Sequence, residues 1–243
     1  GKLPSGDENV IIDEGVTAQV ENRRPLFFSG SLVLKEKSTV ILWRDNGLSL
    51  LPKAPSKVVL YQGARLILET KNAKFGSVEL LGTSEIWGGY SIDEGPAGAL
   101  RVTRQFVEPI TGPGKLIING VSKNTIIFEA PNTFTGGMEG HSTQKQGFKI
   151  LVRGKGNLGR GDVTIGESCS LIIEKETRDV IKSDATLSLE GGVGSMPQKF
   201  VMNSNESVGA FVINGKDQGV GKFSSKTHKE IGGSGELTVK GLK

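Results

Sequence analysis

The feature that most limits what this chain can fold into is a recurring unit: an apolar strand of about four residues, a polar or glycine turn, and a second apolar strand. It reads Ser31-Leu-Val-Leu34, Lys-Glu-Lys-Ser, Thr39-Val-Ile-Leu42. It returns as Lys57-Val-Val-Leu60, Tyr-Gln-Gly, Ala64-Arg-Leu-Ile-Leu68, and again as Ser77-Val-Glu-Leu80, Leu-Gly-Thr, Ser84-Glu-Ile-Trp87. Ala99-Leu-Arg-Val102 opens a fourth, less regular unit, so the starts lie 26, 20 and 22 residues apart. Such spacing, with no helical segment between strands, suits one coil of a β-helix in which each strand pairs in parallel with its counterparts above and below. The expected fold is all-β: a right-handed, single-stranded parallel β-helix with about 20–26 residues per coil. The alternative is an antiparallel β-sandwich, kept open by the hairpin-type pairs Asn46-Gly47, Asn119-Gly120 and Asn214-Gly215.

Beyond residue 110 the rhythm continues less evenly. Strands are expected at Lys115–Asn119, Asn124–Phe128, Phe148–Val152, Asp162–Ile165, Ser170–Ile173, Thr186–Leu189, Phe200–Asn203, Phe211–Asn214 and Glu236–Val239. Asn132–Gln146 and Met196–Gln198 read as loops or arms. One continuous domain follows, with residues 1–110 as N-terminal coils and 111–243 as C-terminal coils and cap. The 35 glycines fit many tight turns between short strands and lack the Gly-X-Y period of collagen.

Charge is nearly balanced, at 30 Lys+Arg against 26 Asp+Glu, and the basic residues are scattered. With ten Phe, two Tyr and two Trp, the stacking residues of a nucleic-acid binder are few, and no nucleic-acid partner is expected. Cys169 stands alone, so no intrachain disulfide forms; it shares the odd-numbered face with Val163, Ile165, Leu171 and Ile173, as a buried small hydrophobe does. No stretch approaches the ~18 apolar residues of a membrane span, so this segment is expected not to insert. Gly1-Lys2-Leu3-Pro4 reads as a start from which a leader has been removed.

The second half carries a family resemblance. Gly112-Pro-Gly114-Lys-Leu116-Ile-Ile-Asn-Gly120 is followed by Phe128-Glu-Ala-Pro-Asn132-Thr-Phe134-Thr-Gly136-Gly137, then by Leu158-Gly159-Arg160-Gly161-Asp162-Val-Thr-Ile165. Ser207-Val-Gly-Ala-Phe211-Val-Ile-Asn-Gly215, Gly221-Lys-Phe-Ser-Ser225 and Gly233-Ser-Gly235-Glu-Leu237-Thr-Val239 close the chain. These blocks, in this order, resemble the autotransporter-associated β-strand repeat. Met138 stands where that family prefers threonine, and the first 110 residues share the rhythm without the motifs. The resemblance implies an exported β-helix, secreted or on the surface of a Gram-negative-type bacterium, and no particular chemistry.

Several motifs suggest chemistry but are better read as structure. Gly154-Lys-Gly156-Asn-Leu-Gly159 matches the dinucleotide fingerprint, yet Arg160-Gly-Asp-Val-Thr-Ile follows where a helix must begin, so no cofactor is expected. Gly232-Gly-Ser-Gly235 resembles a calcium-binding β-roll turn but has Leu237 in place of the aspartate. His141 and His228 lie 87 positions apart, and no spacing suits a metal. Arg160-Gly161-Asp162, an adhesion-type tripeptide, falls on an expected glycine turn. Asp93-Glu94 near Arg101 and Arg104 is the candidate for a polysaccharide lyase or hydrolase site on the flank, against the simpler reading of solvated turn charges. No catalytic residue is assigned. The binding candidates are Trp43, Tyr61, Trp87 and Tyr90, whose rings suit sugars or a surface protein if the coils stack in register. The expected function is a non-catalytic spacer, adhesin segment or glycan-binding module, with a polysaccharide-degrading enzyme as the alternative.

Overall fold

The computed structural model describes residues 8–20, 30–42, 57–68, 73–88, 103–120, 124–142, 147–191 and 198–242. The first three coils supply β1 (Val10–Ile12) and β2 (Thr17–Val20), β3 (Ser31–Leu34) and β4 (Thr39–Leu42), then β5 (Lys57–Leu60) and β6 (Arg65–Leu68). A short strand, β7 (Ala73–Phe75), precedes β8 (Ser77–Leu80) and β9 (Ser84–Gly88), and β10 (Thr103–Phe106) precedes β11 (Ile110–Thr111) and β12 (Leu116–Gly120). Next come β13 (Thr125–Phe128) and β14 (Met138–Ser142), β15 (Phe148–Val152) and β16 (Val163–Ile165), and β17 (Cys169–Ile173) and β18 (Thr186–Leu189). The C-terminal region holds β19 (Phe200–Met202), β20 (Glu206–Val208), β21 (Ala210–Ile213), β22 (Lys216–Asp217), β23 (Gly221–Phe223), β24 (Ile231–Gly232) and β25 (Leu237–Val239).

The chain is all-β, and its sheets stack as a parallel β-solenoid. A ten-stranded sheet, β2-β4-β6-β9-β12-β14-β16-β18-β21-β22, runs from the first coil to the last. The five-stranded sheet β1-β3-β5-β8-β11 flanks its N-terminal part and the seven-stranded sheet β7-β10-β13-β15-β17-β19-β24 its C-terminal part. Among the described strands only β21–β22 and β23–β25 pair antiparallel, which rules out the sandwich.

Alternation along each short strand decides what faces inward. Leu32, Val58 and Val78 stack in one buried column, and Leu34, Leu60 and Leu80 in the next. Each such side chain stabilises the fold by roughly 1.5–3 kcal/mol through burial. At the corners, Ser38 and Ser84 are buried because their hydroxyls donate to the Lys35 and Tyr61 carbonyls at 2.8 and 2.9 Å.

Two expectations need correction. The regular spacing of about 20–26 residues does not hold after β8: Ile110 opposes Val78, 32 positions earlier, and the fourth start expected at Ala99 lies outside the described residues. β10 is the counterpart of β7 in the seven-stranded sheet, and the extra length falls between β9 and β10, at residues 89–102, outside the described residues. Asn132–Gln146 is likewise not wholly a loop, because Met138–Ser142 forms β14 beside β12. Its inward position 140 is glycine, where a Cβ would lie 2.5 Å from Ile150 Cδ1. The opposite sheet fills that space, so β14 needs no bulky residue of its own there.

Gly120 works the same way: a Cβ there would lie 2.0 Å from the Phe148 ring, so Asn119-Gly120 is strand rather than hairpin. Asn214-Gly215 is a true hairpin turn, with φ of 49° and 75° between β21 and β22. Cys169 is buried, as expected from the face it shares.

The Asn-Thr-Phe-Thr segment extends the line of the five-stranded sheet past β11. Thr133 and Thr135 donate to the Ile110 and Gly112 carbonyls at 2.9 and 3.1 Å. Asn132 Oδ1 accepts the Ile110 N–H at 2.8 Å, and its Nδ2 donates to the Asn157 carbonyl at 2.5 Å. One buried side chain thus joins three successive coils.

Candidate functional site

Residues pointing away from the core of the ten-stranded sheet form columns along the solenoid axis, with neighbours about 4.8 Å apart. One column contains Ile41, Ile67, Trp87, Asn119 and His141; its neighbour contains Arg65, Glu85, Ile117 and Glu139. The two columns bring together side chains that are 20 to more than 70 residues apart in sequence.

Trp87 is half-buried, and its Nε1 donates to Glu85 Oε2 at 2.8 Å. Glu85 is itself held: Arg65 Nε lies 3.2 Å from the same oxygen and Arg65 Nη2 lies 3.4 Å from Oε1. From the next strand, Asn119 Nδ2 approaches Glu85 Oε2 at 3.5 Å. The indole is therefore fixed by a carboxylate that both neighbouring coils orient. Further along, Lys115 Nζ lies 2.5 Å from Glu139 Oε1 and His141 Nε2 lies 3.4 Å from Glu139 Oε2. Partial burial pushes the Glu139 carboxyl up, but the hydrogen bonds and charges of Lys115 and His141 outweigh it and hold it below the usual range.

The four sequence candidates do not share one place. Trp43 and Tyr90 lie outside the described residues, as do Asp93, Glu94 and Arg101. Tyr61 occupies the corner before β6, with Lys35 Nζ 4.5 Å from its ring centroid. It is six residues ahead of Ile67, the lateral neighbour of Trp87, so Tyr61 stands before the start of β6 and Trp87 toward the far end of the adjacent strand β9. Arg65, Glu85, Lys115, Asn119, Glu139 and His141 were not singled out from the sequence as neighbours of Trp87. The available signal was Glu85-Ile-Trp87, a polar and an aromatic residue at outward positions of one short strand.

The remaining motifs have structural roles. Gly154–Gly159 is a coil corner between β15 and β16, where a Cβ on Gly156 would lie 2.2 Å from the Phe128 carbonyl. Asp162 of the Arg-Gly-Asp tripeptide accepts the Thr186 N–H at 2.7 Å. Gly233, with φ of 85°, turns the chain between β24 and β25. Burial pushes the Cys169 thiol far up, and it lowers the Lys199 ammonium despite the nearby Cys169, Glu167 and Glu190. Lys199 Nζ donates to the Gly166 carbonyl at 3.3 Å and to that of Glu190, which ties two turns together. Among the described residues no group of three or more His, Cys, Asp or Glu is placed to hold a metal. Among the described residues no helix is long and apolar enough to cross a membrane. No protein-family model, curated protein or solved structure matches this chain.

Proposed function

We propose that this chain is an exported, non-catalytic binding scaffold whose ten-stranded sheet lies along a polysaccharide, with Trp87 as the stacking residue. The observation that carries the reading is the Trp87 indole held by Glu85, which Arg65 and Asn119 hold in turn. A ring fixed before the ligand arrives loses little rotamer freedom on binding. Unused hydrogen-bonding capacity of the surrounding carboxylate, guanidinium and amide suits sugar hydroxyls. Export is supported by the resemblance of residues 112–173 and 207–239 to autotransporter-associated repeats.

Glu85 and Glu139 face the same way two strands apart, roughly 9–10 Å from the strand spacing, near the upper limit for an inverting glycosidase. Such an enzyme needs one carboxyl held protonated. Glu139 is shifted the opposite way, toward the carboxylate, so it does not supply that acid.

The test is intrinsic tryptophan fluorescence during titration with neutral and acidic polysaccharides, with reducing and unsaturated ends assayed in parallel. Saturable binding that weakens at least tenfold in Trp87→Ala, without chain cleavage, is expected. Equal affinity in Trp87→Ala would remove the proposed site. Release of new chain ends, abolished by Glu139→Gln, would replace the binding reading with the enzymatic one.

A further inference from the structure

The segment between β17 and β18 collects unusual features. Glu176 and Asp179 adopt left-handed φ values of 71° and 53° without being glycine. Thr177 Oγ1 is buried and has no hydrogen-bond partner. Non-glycine residues in this region persist only when their surroundings hold them. From below, Leu158 N–H donates to the Val180 carbonyl at 2.9 Å. From above, Ser204 Oγ donates to the Thr177 carbonyl at 2.6 Å, and the Glu206 carboxyl accepts the Val180 N–H at 3.1 and 3.4 Å.

Glu206 opens β20, the first strand of the three-stranded cap β20-β25-β23. Its own N–H donates to the Glu236 carbonyl at 3.0 Å. One side chain, only 4% exposed, therefore joins the cap to a strained turn of the coil beneath. The flanking basic groups are engaged elsewhere, Lys182 with Asp184 at 2.8 Å and Lys222 with Glu236 at 2.7 Å. Arg178, on the same segment, is exposed, and the charge that acts on Glu206 is the like charge of Asp179.

We propose that Glu206 is a proton-operated latch: neutral, it holds the cap on residues 174–185, and ionised, it loosens that junction. Burial pushes the carboxyl up to about 7, with a smaller push from Asp179, against the lowering effect of the Val180 and Ile181 N–H groups. The folded value lies above the unfolded value of 4.5, so the folded state holds the extra proton between them. The contribution of Glu206 to stability is complete below the unfolded value and is lost as pH rises through the folded one.

The test compares thermal unfolding of the wild type and Glu206→Gln from pH 4.5 to 8.5. The glutamine keeps an acceptor for Val180 and cannot ionise. The wild type should lose about 5 °C relative to the variant, with the loss falling between the unfolded value of 4.5 and the folded value of about 7 and levelling off above it. Parallel curves would overturn the latch. If Glu206→Gln does not fold, the Val180 amide resonance of the wild type gives the same answer. A shift with a midpoint near neutrality that falls in Asp179→Asn supports the latch, and a midpoint in the ordinary carboxylate range overturns it.

Discussion

Residues 30–88 and residues 112–173 build neighbouring parts of one solenoid by different means. In the first, β3–β4, β5–β6 and β8–β9 each bracket a short corner, and identical alternation stacks Leu34 on Leu60 on Leu80. The alternating pattern sets the register, and corner bonds from Ser84 Oγ to the Tyr61 carbonyl and from the Thr83 N–H to Gln62 Oε1 add to it. In the second, register depends on interlocking parts: Gly120 under Phe148, Gly140 under Ile150, and Asn132 bonded to the coils on either side. The regular half tolerates changes at outward positions. The interlocked half concentrates its stability in a few small or polar residues where no substitute fits. Trp87 and its polar neighbours lie where the two halves meet, across β9 and β12.

Removing Gly233–Lys243 is expected to have the largest effect. It deletes Leu237 and Val239, both buried, and exposes the core and unpaired backbone of the last coils. Light scattering during expression and refolding should show aggregation; a monomer with unchanged melting would mean that the cap is dispensable.

Next is Gly120→Val, which places side-chain atoms inside the Phe148 ring. A loss of about 3 kcal/mol or more is expected by denaturant unfolding, partly restored in the double variant with Phe148→Ala. Additive losses would show that the two residues do not share the space described.

Asn132→Ala should cost about 2 kcal/mol, because it strands the Ile110 N–H and the Asn157 carbonyl in a buried site. Asn9→Ala, which breaks an exposed bond of 2.9 Å to the Ser31 N–H, should cost under about 1 kcal/mol. Equal costs would erase the contrast between the halves.

The smallest effect concerns Glu139. Its folded value is depressed, so its contribution is present above the unfolded value of 4.5 and is lost as pH falls through the folded one. Side chains of Lys115 and Glu139 are 36% and 27% exposed, so screening keeps the contribution under about 1 kcal/mol. Acid unfolding of Glu139→Gln should show a slightly flatter pH dependence than the wild type.

The same contrast explains what the sequence revealed. Phe148–Val152 and Thr186–Leu189 were read at their observed boundaries, because bulky apolar residues alternate within them. Met138–Ser142 is not legible as a strand because Met138 is its one bulky inward residue: position 140 is glycine, and Ile150 from the opposite sheet fills the space there. Ile110–Thr111 is not legible because it is only two residues long and comes 32 positions after its partner in β8, off the 20- to 26-residue rhythm. The aromatic candidates could be named from sequence. Their neighbours could not, because Arg65 and Asn119 meet Glu85 only through the register of two other strands.

That register decides whether the proposed binding face exists. The most direct measurement is nuclear magnetic resonance of backbone proximities across β9 and β12. Contacts joining Glu85 to Ile117 and Trp87 to Asn119, across 32 residues of sequence, are predicted. Contacts that instead placed Ala99–Val102 beside Ser77–Leu80, as the simple 22-residue rhythm would have it, would contradict the coil stacking and remove the Trp87 face with it.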